Sequence, residues 1–452
     1  MATLTEVDRY WMTKQREGRG HSGSSSIDMK RVASIILSGG EGTRLYPLTM
    51  NRSKPAVSFG GKYRLIDVPI SNSLHAECSK IFVLTQFLSS SLHHHIFQTY
   101  VHQHKSKGSI EILTAEQKRD QKDWYQGTAD AVRKNLDYLL ECPVDYFLIL
   151  SGDQLYNINF RHMMSFARET DADMVIASIP VDEATISRMG VLKVDAQRNV
   201  TDFYEKPKDP AILRRFKCPK SLVEKVGLVS PPGPHYLASM GIYLFKRTAL
   251  VELLKQDGRE DFGKHLIPTM VESGKVAAFL YGGYWEDIGT IETYYKANMA
   301  LTDLHPTFYL HDQERPIFSY PYELPPSRLY QTQIKQTILS EGSIIEADEI
   351  NRCLLGPRTV IHKGSIIRDS YLMGNDYYYA PVQDHHRLPL RPHIGEDCII
   401  RRAIIDKNVC IGKGVQLINK QKLDNYDSPN VLIRDGIIVV PNGAVIPDGF
   451  IL

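Results

Sequence analysis

In the last quarter of the chain, apolar residues return every six positions. Ile338, Ile344 and Ile350 are six apart, as are Val360 and Ile366. Ile394, Ile400, Ile405, Ile411 and Leu417 follow at steps of six, five, six and six. Gly342, Gly364, Gly395, Gly412 and Gly414 mark turns between them. A six-residue apolar period with turn glycines predicts hexapeptide coils of a parallel β-helix. A small β-sandwich is the alternative that periodicity leaves open. Residues 373–393, with Tyr377-Tyr378-Tyr379 and three prolines, interrupt the repeat as a loop.

Upstream the pattern is different. Val32–Leu37 is a short, β-branched and almost continuously apolar run, as a strand buried on both faces of a parallel sheet requires. Lys80–Thr85, Tyr146–Leu150 and Met174–Ile179 repeat that character. Helix-compatible stretches such as Ala129–Leu140 lie between them. Strands alternating with helices predict an α/β domain with a mostly parallel sheet. The expected organisation is a flexible polar tail over 1–30, an α/β domain over 31–303, a Pro-rich linker over 304–335 and the β-helix over 336–452. Gly18–Ser26 is the Gly/Ser-rich part of that tail.

The first strand runs straight into Ser38-Gly39-Gly40-Glu41-Gly42-Thr43-Arg44. Glycines let backbone N–H groups approach and cradle phosphate oxygens. Arg44 adds a planar fork for phosphate, and Lys54 in Ser53-Lys54-Pro55 adds a point charge. The segment reads as a polyphosphate site. It is not the Gly-x-x-x-x-Gly-Lys loop of P-loop ATPases, nor the Gly-x-Gly-x-x-Gly turn of dinucleotide dehydrogenases. Ser151-Gly152-Asp153 follows another buried strand, where open parallel sheets bind ligands. Asp153 there suits Mg²⁺, which takes one or two carboxylates plus substrate phosphates. Asp287 in Trp285-Glu286-Asp287 is the candidate second carboxylate. In Glu205-Lys206-Pro207, Lys206 is a candidate for an acceptor's phosphate and Glu205 for a sugar hydroxyl.

These motifs, with FGGKYRLIDVPISN (59–72), WYQGTADAV (124–132), SGDQLY (151–156), ASMGIYLF (238–245) and RAIIDKN (402–408), resemble the ADP-glucose pyrophosphorylases. These are the glucose-1-phosphate adenylyltransferases among the sugar-phosphate nucleotidyltransferases. The resemblance spans about residues 31–452. It implies a Rossmann-like nucleotidyltransferase domain followed by a left-handed parallel β-helix with a regulatory and assembly role. It also implies transfer of the adenylyl group of ATP to α-D-glucose 1-phosphate, with Mg²⁺, as in glycogen and starch synthesis. Gly39, Gly40, Gly42 and Thr43 would hold the nucleotide, and Arg44 and Lys54 would neutralise its triphosphate. Gln86, Trp124, Tyr125 and Gly127 would contact the adenine side. Asp153 and Asp287 would hold Mg²⁺, and Gly190, Glu205, Lys206 and Ser239 the sugar phosphate. Lys407 and Arg434 match positions for phosphorylated effectors, and the family implies a homotetramer. Ser38 stands where the family has a glycine, and Arg434 where many members carry lysine. Residues 1–30 contain no cysteine, so an N-terminal intersubunit disulfide is not expected. Rival readings are a UTP- or dTTP-dependent transferase, a non-catalytic regulatory subunit, and a β-helix with acyltransferase activity.

Composition narrows the classes. Lys plus Arg number 54 and Asp plus Glu 52, a net charge of +2 that gives no bulk argument for nucleic-acid binding. No stretch of about 18 apolar residues exists for a membrane span. The six cysteines are scattered without a Cys-x-x-Cys pair, which fits small buried hydrophobes in a reducing cytoplasm. His93-His94-His95 and His385-His386 read as solvated surface runs. Residues 117–122, QKRDQK, read as a solvated loop or a lid beside Trp124.

Overall fold

The computed structural model describes residues 29–101, 109–115, 124–227, 235–379 and 391–452. The proposed tail, the QKRDQK segment and His385-His386 lie outside these residues, except for Met29 and Lys30. Those two form a 3₁₀ turn with Arg31, and Met29 is buried, so the folded chain starts before residue 31.

The strands that position the site are β1 (Val32–Ser38), β2 (Lys80–Thr85), β3 (Ser109–Thr114), β4 (Tyr146–Ser151), β5 (Gln154–Tyr156), β6 (Met174–Asp182), β7 (Gly190–Val194), β8 (Val200–Glu205), β9 (His235–Lys246), β10 (Val276–Leu280) and β11 (Trp285–Asp287). One nine-stranded sheet runs β8-β7-β9-β4-β1-β2-β3, with β6 also on β9 and β10 on β6. It is mostly parallel. β9 and β8 run against the rest.

The continuous apolar runs have a direct cause. Val32, Ile36, Val83 and Leu148 feed the core on one face of the sheet. Ala33, Ile35, Phe82 and Ile149 feed the core on the other. Both faces are covered, so neither parity can be polar. The helix-compatible stretch 129–140 is two helices, α1 (Thr128–Lys134) and α2 (Leu136–Glu141). They break at Asn135, whose side-chain amide donates to Ala131 O and to Tyr125 Oη, both at 2.8 Å.

The second unit is the β-helix. Its coils stack parallel in register, for example Ile344 on Val360 and Ile367 on Ile400. The repeat residues Ile350, Ile400, Ile411 and Leu417 fill its interior. Coil pairing already starts at Arg328–Leu329 and Gln333–Lys335, ahead of residue 336. The Pro-rich segment before it is strapped to the α/β unit rather than free. Phe308 and Ile317 are buried, and His75 Nε2 lies 2.7 Å from Pro316 O. After Leu417 an antiparallel ribbon, Asn425–Asp427 with Leu432–Arg434, interrupts the coils.

The two units share one core. Leu354, Tyr371, Ile404 and Val439 of the β-helix pack in the same cluster as Leu65, Val68 and Ile291. All six cysteines are free thiols and five are buried. Among the described residues, no helix is long and apolar enough to cross a membrane.

One sequence reading needs correction. His93-His94-His95 is not a solvated run. His95 is 4% exposed and its Nε2 lies 2.6 Å from Asp67 Oδ1, while His93 Nε2 lies 2.8 Å from Thr85 Oγ1. The helix turns each ring a different way, and two of the three face the interior.

Candidate active site

A cavity of about 600 Å³ opens at the carboxyl ends of β1, β2 and β4. Such sheets bind ligands here because the strand order reverses and the following loops splay apart. Of the predicted site residues, Gly39, Gly40, Lys54, Gln86, Tyr125, Gly127, Asp153 and Glu205 line it. Gly42, Thr43, Arg44, Trp124, Gly190, Lys206, Ser239 and Asp287 are not among its lining residues. Gly42 and Asp287 approach Lys54, Gly190 and Lys206 approach Glu205, and Ser239 bonds Gly241.

The glycine turn is shaped by close approach. Gly42 has φ 66°, and a Cβ there would lie 2.9 Å from Lys54 Cβ, so the turn is folded onto the lysine. Thr43 and Arg44 follow in a 3₁₀ turn and are exposed. The Arg44 guanidinium lies against Gly289, two residues beyond Asp287. At Gly152 a Cβ would overlap Ser38 Oγ. The Ser38 hydroxyl is buried with no hydrogen-bond partner among the described residues.

Lys54 Nζ pairs with Asp153 and lies 3.7 Å from Asp287 Oδ1. Three features of the fold bring these charges together. Lys54 starts a 3₁₀ turn, Lys54–Ala56, whose second residue is Pro55. Asp153 follows β4, and β5 pairs antiparallel with β11 so that Asp287 lies opposite Gln154. Burial alone would lower the Lys54 pKa, but Asp153 and Asp287 outweigh it and the ammonium is held charged. Burial pushes the Asp153 carboxyl up. The Lys54 charge and hydrogen bonds from Lys54 and Ser151 reverse this, leaving it below its ordinary value. Asp287 is pushed above its ordinary value, by desolvation and then by the charge on Asp153, against Lys54 and Arg44. Asp153 lines the cavity and Asp287 lies beside it across Lys54; two carboxylates are the donor set Mg²⁺ takes when substrate phosphates complete its shell.

Across the cavity, Glu205 ends β8 between two glycines. A Cβ at Gly190 would lie 2.8 Å from Glu205 Oε2, and one at Gly263 3.0 Å from it. Lys206 has φ 51°, its N–H donates to Met189 O at 3.0 Å, and its Nζ lies 3.3 Å from Glu205 Oε1. Ser239 is buried in β9, where its Oγ accepts from Gly241 N–H at 3.2 Å.

At the far rim, Gln86 Oε1 accepts from Tyr125 N–H at 2.7 Å. Trp124 is 56% exposed and stacks on Phe87, with centroids 6.4 Å apart. A Cβ at Gly127 would overlap Glu260 O, which accepts from Ala129 and Asp130 N–H and caps α1. Sequence reading missed this loop. Asp261, Phe262 and Gly263 line the cavity, and nothing in their sequence signals it.

The two effector candidates are not brought together. Lys407 Nζ lies 2.6 Å from Asp376 Oδ1 at the seam between the units. Arg434 pairs with Asp427 at 2.6 Å and sits opposite Ile437, at the start of strand Ile437–Val440. Lys407 follows Ile405, which is opposite Val440 at that strand's other end. Arg52 pairs with Asp406, the residue before Lys407, and Arg64 faces Asp376, the carboxylate that Lys407 pairs with.

A family model described as nucleotidyl transferase matches residues 33–304. A second, described as the GLGC left-handed parallel beta-helix domain, matches residues 323–451.

Proposed function

Because the chain belongs to the nucleotidyl transferase family and has the two-domain architecture of ADP-glucose pyrophosphorylases, we propose that it adenylylates α-D-glucose 1-phosphate with ATP. The products are ADP-glucose and pyrophosphate. The observation that carries this reading is Lys54, held between Asp153 and Asp287 at the foot of the glycine turn.

The sugar-phosphate oxygen attacks the α-phosphorus in line with departing pyrophosphate. That oxygen is already anionic at neutral pH, so the protein need supply no strong base. Its contribution is position and charge. Gly39, Gly40 and Gly42 admit the triphosphate to the backbone, with Thr43 beside them. Lys54 and Arg44 offset its negative charge. Gln86, Tyr125, Gly127 and Trp124 form the base side. Glu205, held by Gly190, bonds sugar hydroxyls, and Lys206 binds the acceptor's phosphate with Ser239 behind it. Mg²⁺, held by Asp153 and Asp287, would supply Lewis-acid charge neutralisation. Phosphorylated effectors are assigned to the cationic seam around Lys407. Arg434 stays a weaker candidate, since Asp427 and two backbone carbonyls already occupy it. The β-helix is assigned the assembly role, in a homotetramer.

The test is pyrophosphate release with glucose 1-phosphate and Mg²⁺ against ATP, UTP, dTTP, CTP and GTP, with and without phosphorylated metabolites. Strong ATP preference is expected. Preference for UTP or dTTP reassigns the nucleotide. No turnover from folded protein makes the chain a regulatory subunit.

A further inference from the structure

Gln154 is 7% exposed and lines the cavity, yet no step above uses it. Its position is unusual in three respects. Its backbone is bonded to Asp153 and lies opposite Asp287 in the β5–β11 pair, between the two carboxylates. Its Nε2 donates to Met240 O at 2.8 Å. Its Oε1 accepts from Trp285 Nε1 at 3.4 Å, two residues before Asp287.

Met240 sits where β9 changes partners. The first half of β9 pairs with β7 through Leu237 and Ala238. The second half pairs with β4 from Tyr243 onward. Between them the register with β6 shifts from Ser239 to Tyr243. The ladder supplies no register pairing across 240–242, and the Gln154 amide takes the Met240 carbonyl instead. Gly241, at φ 70°, leaves only 3.2 Å between its missing Cβ and Gln154 Nε2, so the bulge is fitted to this side chain. Ser239 begins the same bulge.

We propose that Gln154 is a positioning residue that couples the sugar-phosphate subsite to the metal-binding carboxylates. Sugar phosphate that settles the 239–243 bulge settles Gln154, and through it the strand pair that fixes Asp153 and Asp287. Coupling of two binding events is reciprocal, so divalent metal tightens sugar-phosphate binding by the same factor. The inference rests on the substrate assignment above.

The experiment measures glucose 1-phosphate binding to the full chain by calorimetry, with and without Mn²⁺, and the Mg²⁺ activation constant at low and saturating glucose 1-phosphate. Wild type is expected to show coupling of about 5–20-fold, within the usual range. Gln154→Met keeps length and apolar packing but neither hydrogen bond, and should bring the factor to about 1 with a folded spectrum. Gln154→His restores an N–H donor and should recover part of it. Trp285→Phe removes only the second bond and should lie between. Unchanged coupling in Gln154→Met, or none in wild type, overturns the inference while leaving the activity intact. Absence of both sugar-phosphate binding and turnover in wild type overturns the substrate reading and this inference with it.

Discussion

The Arg52 guanidinium grips the Asp406 carboxylate across the seam between the two units, one nitrogen lying 2.9 and 3.1 Å from the two carboxylate oxygens. The side chains are 10% and 1% exposed. Arg52 lies two residues before Lys54, so this pair anchors the turn that carries Lys54 to the β-helix. Breaking a buried pair strands one charge, which costs about 3–5 kcal/mol, whereas replacing both partners with apolar groups is often neutral. Asp406→Asn should lower the urea midpoint strongly. The double change Arg52→Met with Asp406→Leu should recover most of it, since Met373 already lies beside Arg52. A double variant as unstable as the single one would show that the pair does not act as a unit.

His95 sets a pH dependence. Burial lowers its pKa against the pull of Asp67, and Arg64 and Lys407 add to the lowering. Asp67 also accepts from Tyr100 Oη and Arg64 N–H, so its charge is shared. The native state therefore resists a proton that the unfolded chain accepts at about pH 6.5. The unfolded state binds more protons below that pH, so stability falls as pH drops. Urea unfolding from pH 7.5 to 5.5 should show the advantage of wild type over His95→Gln shrinking with acid. A constant gap would refute a neutral buried imidazole.

A substitution at Lys206 tests the proposed sugar-phosphate subsite apart from the proposed nucleotide subsite. Lys206 is exposed and pairs only weakly with Glu205 at 3.3 Å, so its removal should not disturb the fold. Lys206→Ala should raise the KM for glucose 1-phosphate about tenfold or more, the scale of a lost charge-assisted bond. The KM for ATP should move little. Equal effects on both substrates would contradict the assignment.

What the sequence made legible follows from where information is local. β1, β2 and β4 stood out because burial on both faces leaves no polar position. The glycine turn, Lys54 and Asp153 stood out because each directly follows or folds back on such a strand. β9 did not, because its change of partners is set by β7 and β4, far away in sequence. The Asp261–Gly263 loop reaches the cavity through Glu260 O capping α1, a contact with no local trace. The separation of Arg434 from Lys407 arises from an antiparallel ribbon inside a parallel repeat. A six-residue period cannot reveal it.

Ser38 and Gly152 should behave as one position. The Ser38 Oγ fills the space beside the Gly152 Cα. A Cβ at 152 would also lie 3.2 Å from Leu37 O and from Pro55 Cγ. Gly152→Ala therefore has to push β1, Ser38 or Pro55, and Asp153 and Lys54 adjoin these. Overpacking of this kind costs about 1–3 kcal/mol, and turnover should fall more than stability because both charges move. Ser38→Gly alone should be nearly silent, since its hydroxyl has no partner to lose. In the Gly152→Ala background it should restore part of the turnover, leaving only the contacts with Leu37 O and Pro55 Cγ. Turnover and unfolding midpoints of the four proteins give the coupling directly. Additive effects would mean that the alanine acts through Pro55 or β1, and that Ser38 plays no part in shaping the turn.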